Sequence, residues 1–181
     1  VTDYHIGVSS AKVLEKDFTE VNIGYGANWY TQSDIYVGIV IEFAYGNVDL
    51  EDGKSADVFS SNADLKLGYS MFDNNLALYA IGSGALQSVD TMSGAGFGYG
   101  AGVDYRFAKN YFIEALFSLY DKNQTIISTN NIQEWRLSLS FPITGKSLML
   151  FTRIGFGQTI NPSTSNNIAE VMISGVYKSV N

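Results

Sequence analysis

Residues 94–120 alternate strictly between two kinds of side chain along two successive runs. In the first run every second residue is apolar or aromatic, and the residues between them are glycine or charged; the apolar set is Phe97, Tyr99, Ala101, Val103, Tyr105 and Phe107. The break Ala108–Asn110 separates it from a second alternating run, which begins at Tyr111 and ends at Tyr120. Alternation with a period of two is typical of a β-strand with two unlike faces, so the two runs predict a β-hairpin.

The same alternation recurs along the chain and predicts ten strands with little but turns between them. Besides the two strands of the hairpin, they are Thr2–Val8, Phe18–Tyr30, Ile35–Tyr45, Asn62–Met71, Leu76–Leu86, Ile132–Phe141, Ser147–Gly157 and Ile168–Tyr177. The faces of the fifth strand depend on the turn before it. A three-residue turn at Asp73–Asn75 puts Ala77, Tyr79 and Ile81 on the apolar face, whereas a two-residue turn puts Leu78 and Ala80 there.

The connections between these strands alternate in length. Tight turns are predicted at Thr31–Asp34, Asp73–Asn75, Ala108–Asn110 and Ile143–Lys146, and long loops at Gly46–Ser61, Gln87–Ala95, Asp121–Asn131 and Gln158–Asn167. Short turns at one end and long loops at the other indicate an up-and-down meander whose last strand is free to pair with the first. Ten strands are the main prediction, with eight as the alternative.

Alternation alone does not tell whether the apolar faces point into the barrel or outward. Several runs keep their register for ten or more residues, which matches the ~9–11 of a tilted transmembrane strand better than the ~5–6 of a soluble one. Ten apolar faces would also overfill a barrel interior that at ~8 strands just holds its own side chains. Aromatic residues near strand ends, such as Tyr45 and Trp135, suit interfacial girdles. The sequence therefore predicts an all-β fold, a transmembrane antiparallel up-and-down β-barrel.

Composition narrows the function classes further. A chain of 181 residues, of which 46% are hydrophobic and 2 are proline, suits a single β-barrel domain over residues 1–181 and argues against disorder. The net charge of −7 disfavours a nucleic-acid partner, because phosphate binding needs clustered basic residues. With no cysteine, disulfides, thiolate metal sites and cysteine nucleophiles are excluded. The N-terminus lacks the basic and apolar regions of a signal peptide, so we expect a processed chain.

Two glycine-rich segments carry a family resemblance. The run Gly98–Phe107, which ends in an aromatic–basic–aromatic triplet, and the segment Ile23–Gly26 resemble small bacterial outer-membrane β-barrels of the OmpA-like transmembrane domain and opacity-porin type. The resemblance implies a location in the outer membrane of a Gram-negative cell, with membrane lipid and lipopolysaccharide as partners. It also implies an envelope function and limited pore activity in a chain that we expect to be a monomer.

The face opposite the apolar one carries the candidate functional residues. Its charged members are predicted to lie in the lumen as an ionic plug or a gate: Glu20, Glu42, Asp64, Lys66, Asp104, Arg106, Glu114, Glu134, Arg136, Arg153 and Glu170. A three-residue turn after Phe107 places Glu114 opposite Asp104, and a five-residue loop places it opposite Arg106; both bring Arg106 within a diagonal step of Glu114. A two-residue turn at Thr144–Gly145 would place Arg136 opposite Arg153. Bulky Phe112, Leu116, Tyr120, Met149 and Phe151, facing Gly98, Gly100 and Gly102, are expected to narrow the lumen further.

No enzymatic chemistry is expected. The single histidine, His5, lies at the short-turn end, away from the extracellular side where the outer-membrane hydrolases have their catalytic histidine, so it is expected to be solvated or lumen-facing. No catalytic residue, cofactor or metal site is predicted. The sequence thus favours a structural envelope protein or narrow passive pore with a charged, largely plugged lumen. The alternatives are an adhesin or recognition protein that binds an unknown partner through long loops, and a soluble ligand-binding barrel.

Overall fold

The computed structural model describes residues 2–13, 16–50, 53–108, 111–120, 132–144, 148–159 and 167–179. Within these ranges there are ten strands: β1 (Thr2–Val13), β2 (Lys16–Tyr30), β3 (Ile35–Asp49), β4 (Ser55–Met71), β5 (Leu76–Val89), β6 (Met92–Ala108), β7 (Tyr111–Tyr120), β8 (Ile132–Thr144), β9 (Leu148–Thr159) and β10 (Asn167–Ser179). Each strand pairs antiparallel with the next, and β10 pairs with β1, so the sheet closes into a barrel. The predicted all-β, antiparallel up-and-down barrel is confirmed.

No helix among the described residues is long and apolar enough to cross a membrane.

A band of apolar side chains covers the outside of the barrel. On β3 it extends from Ile35 to Tyr45 and on β4 from Phe59 to Tyr69, with Ile35 paired to Tyr69 and Tyr45 paired to Phe59. We call the outward apolar residues between these two levels the apolar belt. Its members with at least half of their surface exposed include Ile6, Val8, Ile23, Trp29, Leu65, Leu67, Tyr99 and Trp135. Each of the two bounded spans holds eleven residues, the length of a tilted strand that crosses a bilayer.

Beyond the belt the two faces exchange character, at the end of the barrel where β3 joins β4 and β5 joins β6, here called the rim side. The outward residues Asn47, Asp49 and Asp57 are polar and exposed. The inward residues are apolar and form a buried rim cluster of Phe18, Val48, Ala56, Val58 and Val89. Apolar residues inside and polar residues outside are the pattern of a sheet in water. The rim side is therefore built like a water-soluble barrel.

This exchange explains why two of the predicted long loops are wrong. Gly46–Ser61 is mostly strand, because β3 continues to Asp49 and β4 begins at Ser55, leaving 50–54 as the connection. Gln87–Ala95 shrinks to the turn 90–91 between β5 and β6. In both segments the outward residues stop being apolar, so the alternation that marks the belt ends although the ladder continues. The other two predicted loops are Asp121–Asn131 and Gln158–Asn167. Residues 121–131 and 160–166 lie outside the described residues.

The turn between β4 and β5 settles which face of β5 is inward. It comprises four residues, with Met71 paired to Leu76, and positive φ angles at Phe72, Asp73 and Asn74 of 55°, 55° and 63°. A turn of four residues places the same alternate residues of β5 inside the barrel as a turn of two residues would. Leu78 and Ala80 are therefore exposed outside, while Ala77, Tyr79 and Ile81 are buried inside. The alternative based on a three-residue turn is wrong.

We expect Phe18→Ala in the rim cluster to lower the free energy of unfolding by about 3–5 kcal/mol, because it removes a buried ring and leaves a cavity. Phe97→Ala is the matched control: Phe97 lies outside and is 76% exposed, so its loss should cost only about 0.5 kcal/mol. Urea unfolding in phospholipid vesicles measures both changes. Equal losses would show that Phe18 is not packed inside the barrel.

Candidate functional site in the barrel lumen

Five side chains from five consecutive strands meet inside the barrel, near the end that carries turns 31–34 and 72–75, here called the turn side. They are Tyr36 of β3, Lys66 of β4, Tyr79 of β5, Asp104 of β6 and Glu114 of β7. Each occupies an inward position of its strand, and Tyr36, Lys66 and Tyr79 are buried, at 0%, 5% and 4% exposure. We call this group the luminal plug.

An ion pair with a shared acceptor forms the middle of the luminal plug. Lys66 Nζ and the Tyr79 hydroxyl both donate hydrogen bonds to Oε1 of Glu114. The ammonium also lies 4.8 Å from the centroid of the Tyr79 ring, within the range of a cation–π contact. A buried charge is tolerated when it is paired and hydrogen-bonded. Lys66 and Glu114 therefore hold each other and the Tyr79 ring in fixed positions across the lumen.

A second carboxylate lies directly beside this pair. Asp104 is opposite Glu114 in the β6–β7 ladder, and its Oδ2 accepts a hydrogen bond of 2.7 Å from the Tyr36 hydroxyl. The same hydroxyl lies 3.0 Å from the Asn28 side-chain amide. Two like charges on neighbouring positions would repel each other, but each carboxylate has its own donors. The Tyr36 ring packs against Tyr79, with centroids 5.5 Å apart, so the hydrogen bonds and the aromatic contacts support one another.

Glycines make the space that the luminal plug occupies. A Cβ atom on Gly102 would lie 2.5 Å from Cζ of Tyr79, and one on Gly38 would lie 2.6 Å from Oδ1 of Asn28. Both distances are far below ordinary van der Waals contact. Leu116 is buried and faces Gly102 across the ladder, as predicted, but the ring that fills the space over Gly102 is that of Tyr79.

Other polar side chains line the lumen towards the rim side in small separate groups. His5 Nε2 and Glu42 Oε2 are 3.0 Å apart, with side chains that are 8% and 16% exposed. Closer to the rim, Ser60 Oγ donates to Glu20 Oε1 at 2.8 Å, and Asn62 Nδ2 donates to Asp64 Oδ1 at 3.2 Å. His5 thus faces the lumen. Polar contacts continue along the lumen from the luminal plug to the rim cluster.

The predicted luminal residues divide into those that the structure describes and those that it does not. Eight have described side chains at inward positions: Glu20, Glu42, Asp64, Lys66, Asp104, Arg106, Glu114 and Arg136. For Glu134, Arg153 and Glu170 the backbone belongs to β8, β9 and β10, but the side chains lie outside what the structure describes.

Of the two predicted charge relationships, the diagonal placement of Arg106 and Glu114 is confirmed in register, and the Arg136–Arg153 pair is wrong. The β6–β7 register is the one that places Glu114 opposite Asp104, and Glu114 takes its cation from Lys66, whereas the Arg106 guanidinium lies over the Phe112 ring at 5.3 Å. Arg136 lies opposite Gly155, and Arg153 lies opposite Ser138, so the predicted Arg136–Arg153 pair is wrong. The reason is the turn: Thr144 pairs with Leu148, so the connection is longer than the predicted two-residue turn at Thr144–Gly145.

The aromatic members of the luminal plug were absent from the predicted site. Tyr36 already had inward parity in the sequence, on the same face of β3 as Glu42, and could have been found by including polar aromatic residues among the candidates. Tyr79 could not be assigned until the length of turn 72–75 was known. Within the ranges that the structure describes, no group of three or more His, Cys, Asp or Glu residues could hold a metal ion.

Comparisons with known proteins find the fold but no sequence relative. No protein-family model matches the chain, and no curated protein matches it significantly. The translocator domain of the autotransporter NalP from Neisseria meningitidis matches with a TM-score of 0.53 at 11% identity, over 98% of this chain and 88% of that one. The KdgM porin in complex with disordered oligogalacturonate matches with a TM-score of 0.51 at 12% identity, over 98% and 99% of the two chains.

A third structure, the β domain of the Bordetella autotransporter BrkA, matches with a TM-score of 0.50 at 12% identity over 98% of both chains. These structures are outer-membrane β-barrels. The predicted resemblance to small outer-membrane barrels is thereby confirmed at the level of the fold. At identities this low the likeness carries no activity or substrate across.

We expect Lys66→Met to lower the free energy of unfolding by about 3 kcal/mol, because it leaves Glu114 inside the barrel without its cation. Glu114→Gln in the same chain should recover most of that loss, since it removes the uncompensated charge. Lys54→Met, at an exposed position beyond the belt, is the control for losing one positive charge. Urea unfolding of the four proteins in phospholipid vesicles measures the loss and its recovery; a Lys66 variant as stable as the Lys54 variant would contradict the ion pair.

Proposed function

We propose that this protein is an integral component of the bacterial outer membrane whose barrel is closed by its own side chains, and that it serves the envelope structurally. The observation that carries the proposal is the luminal plug, which fills the lumen between β3 and β7 with two packed tyrosine rings and a buried ion pair. An open porin needs a continuous water-filled path, whereas this lumen is occupied on the turn side by the plug and on the rim side by the rim cluster.

The outer surface supports the membrane location. Large apolar side chains such as Leu65 and Leu67 are each 60% exposed, and a contiguous band of them around a soluble protein would promote aggregation. In hydrocarbon the same band is favourable, and the closed ladder leaves no strand edge unpaired there. The belt would contact lipid, and the polar outer residues beyond it, such as Asn47 and Asp57, would lie at the level of the lipopolysaccharide head groups.

A narrow passive pore is the second candidate, and one observation favours it. The Glu114 side chain keeps 25% of its surface exposed although it pairs with buried Lys66, so part of the luminal plug is open to solvent. The KdgM porin forms a complex with oligogalacturonate, so a barrel of this fold can bind a solute. Here a solute would have to displace Tyr36 and Tyr79 first.

Recognition of a partner through long loops gains no support from the described connections, because 50–54 and 90–91 are short. We also propose no catalytic activity. His5 is the one histidine of the chain, and it lies inside the lumen against Glu42 with 8% of its side chain exposed.

The membrane location predicts how the purified protein behaves. We expect it to need detergent or lipid to stay in solution, because the apolar belt cannot be exposed to water. We also expect a change of mobility on a denaturing gel between unheated and boiled samples, because a closed barrel resists detergent denaturation until it is heated. A monodisperse protein in detergent-free buffer would contradict the membrane location.

The closed lumen predicts the electrical behaviour. In planar lipid bilayers we expect the unmodified protein to carry no steady current, and the double variant Tyr36→Ala/Tyr79→Ala to show discrete openings, because two rings that cross the lumen are gone. The matched control is Tyr99→Ala/Tyr105→Ala, which removes two tyrosines from the outside of the barrel. A steady current through the unmodified protein would favour the narrow pore over the structural role.

A further inference from the structure

Arg106 and Lys66 are both inward-facing basic residues on the turn side of the lumen, but among the described ion pairs Lys66 is paired with a carboxylate and Arg106 is not. Its guanidinium carbon lies 5.3 Å from the centroid of the Phe112 ring, and Phe112 is directly opposite it in the β6–β7 ladder. Its Nε atom is buried and has no hydrogen-bond partner. Lys66, by contrast, donates to Glu114. An arginine stacked on a ring with a buried, unused donor is an unfilled site for an acceptor.

The position of Arg106 gives such an acceptor a way in. Its backbone amide donates to the carbonyl of Asn75 at 2.7 Å, in the turn that joins β4 to β5, and a register irregularity follows between Arg106 and Ala108. The residue therefore lies at the turn-side mouth of the lumen, and its side chain is partly exposed. A small solute that enters from the turn side would meet the exposed part of this side chain before the luminal plug.

The groups around Arg106 suit an anion. The carboxylate nearest in sequence, Asp104, faces the same lumen but accepts the hydrogen bond of Tyr36, and Glu114 is neutralised by Lys66. Tyr30 packs against the Tyr36 ring at 5.3 Å, and its hydroxyl lies in the fields of both Asp104 and Arg106. A phenol close to a guanidinium is a second hydrogen-bond donor for the same ligand.

We propose that Arg106, backed by Phe112 and assisted by Tyr30, forms an oxyanion-binding site at the turn-side mouth of the lumen, with a phosphate or carboxylate group as its ligand. The guanidinium presents a planar fork of donors that matches the two oxygens of such a group. Stacking on Phe112 fixes the plane of the fork and leaves its edge for the anion. The inference concerns the mouth of the barrel and holds whether or not the lumen conducts.

Nuclear magnetic resonance of the arginine side chains tests the site. The full chain in a phosphate-free maltoside detergent is titrated with inorganic phosphate, with sodium chloride of equal ionic strength as the reference. We expect the Nε–H signal of Arg106 to shift and saturate with phosphate but not with chloride. In Arg106→Gln the remaining probes around the mouth should respond about tenfold more weakly or not at all, the effect of losing a charged hydrogen bond.

Two further variants keep the outcome decisive. Lys54→Gln removes one positive charge on the opposite side of the barrel and should leave the phosphate response unchanged. Arg106→Lys keeps the charge but loses the fork, and replaces Arg106→Gln if that variant does not fold; it should bind phosphate more weakly than the unmodified protein.

The same titration with phosphatidylglycerol vesicles distinguishes a lipid head group from a free anion. Saturation by inorganic phosphate assigns the site to free oxyanions, and saturation by the vesicles alone assigns it to head groups; both support an oxyanion site. A response that is equal in Arg106→Gln, or that chloride reproduces, would overturn the proposal.

Discussion

Closure of the hydrogen-bond ladder is the constraint on which the rest of this structure depends. β1 pairs with β10 without interruption from Thr2 opposite Ser179 to Lys12 opposite Ala169, so neither strand is left with an unpaired edge along that length. In hydrocarbon no water is present to satisfy a free backbone group, and an open edge would cost several kcal/mol for each one. Once the ladder is closed, every residue points either inward or outward. The apolar belt and the luminal plug are the two consequences of that single division.

The division into two faces does not fix what each face must contain, because a strand of this length passes through two environments. Along β4, Leu65 and Leu67 face outward within the apolar belt, while Asp57 faces outward beyond it and Val58 is buried inside. The surroundings of the outer face change from hydrocarbon to water along the strand, and the polarity of the side chains changes with them. On the rim side, beyond the belt, the rim cluster provides an apolar core inside the barrel. At the level of the belt the apolar side chains face outward and no such core is needed.

This change of environment explains where sequence-based prediction succeeds and where it stops. Local alternation identified the strands, the barrel and the inward charges because it depends only on neighbours in sequence. The predicted strands ended too early at Asn47 and Asp57, where the outward side chains change from apolar to polar. Local alternation also left β5 undecided, because the inward position of Tyr79 depends on whether the preceding turn has an odd or an even number of residues. Alternation does not predict how many residues a turn contains when some of them, such as Phe72 and Asn74, have positive φ angles.

The contacts within the lumen were beyond sequence reasoning for a different reason. Lys66 and Glu114 belong to β4 and β7, which are not neighbours in the ladder, so their contact depends on the diameter and tilt of the barrel rather than on a register. Register itself depends on the length of each turn: Thr144 pairs with Leu148, beyond the predicted two-residue turn, and Arg136 and Arg153 are therefore not opposite each other. Charged residues could therefore be placed on the correct face but not with their partners.

Within the luminal plug, electrostatics and steric filling have separate tasks. The charged groups fix the orientation of the side chains: Glu114 accepts hydrogen bonds from both Lys66 and Tyr79, and Asp104 accepts one from Tyr36. Volume comes from the tyrosine rings, which fit because Gly102 leaves no Cβ beneath one of them. Weakening the ion pair frees the side chains but removes no volume, whereas removing the rings opens space and leaves the charges. Stability and permeability of this barrel should therefore respond to different residues, although those residues are in direct contact with one another.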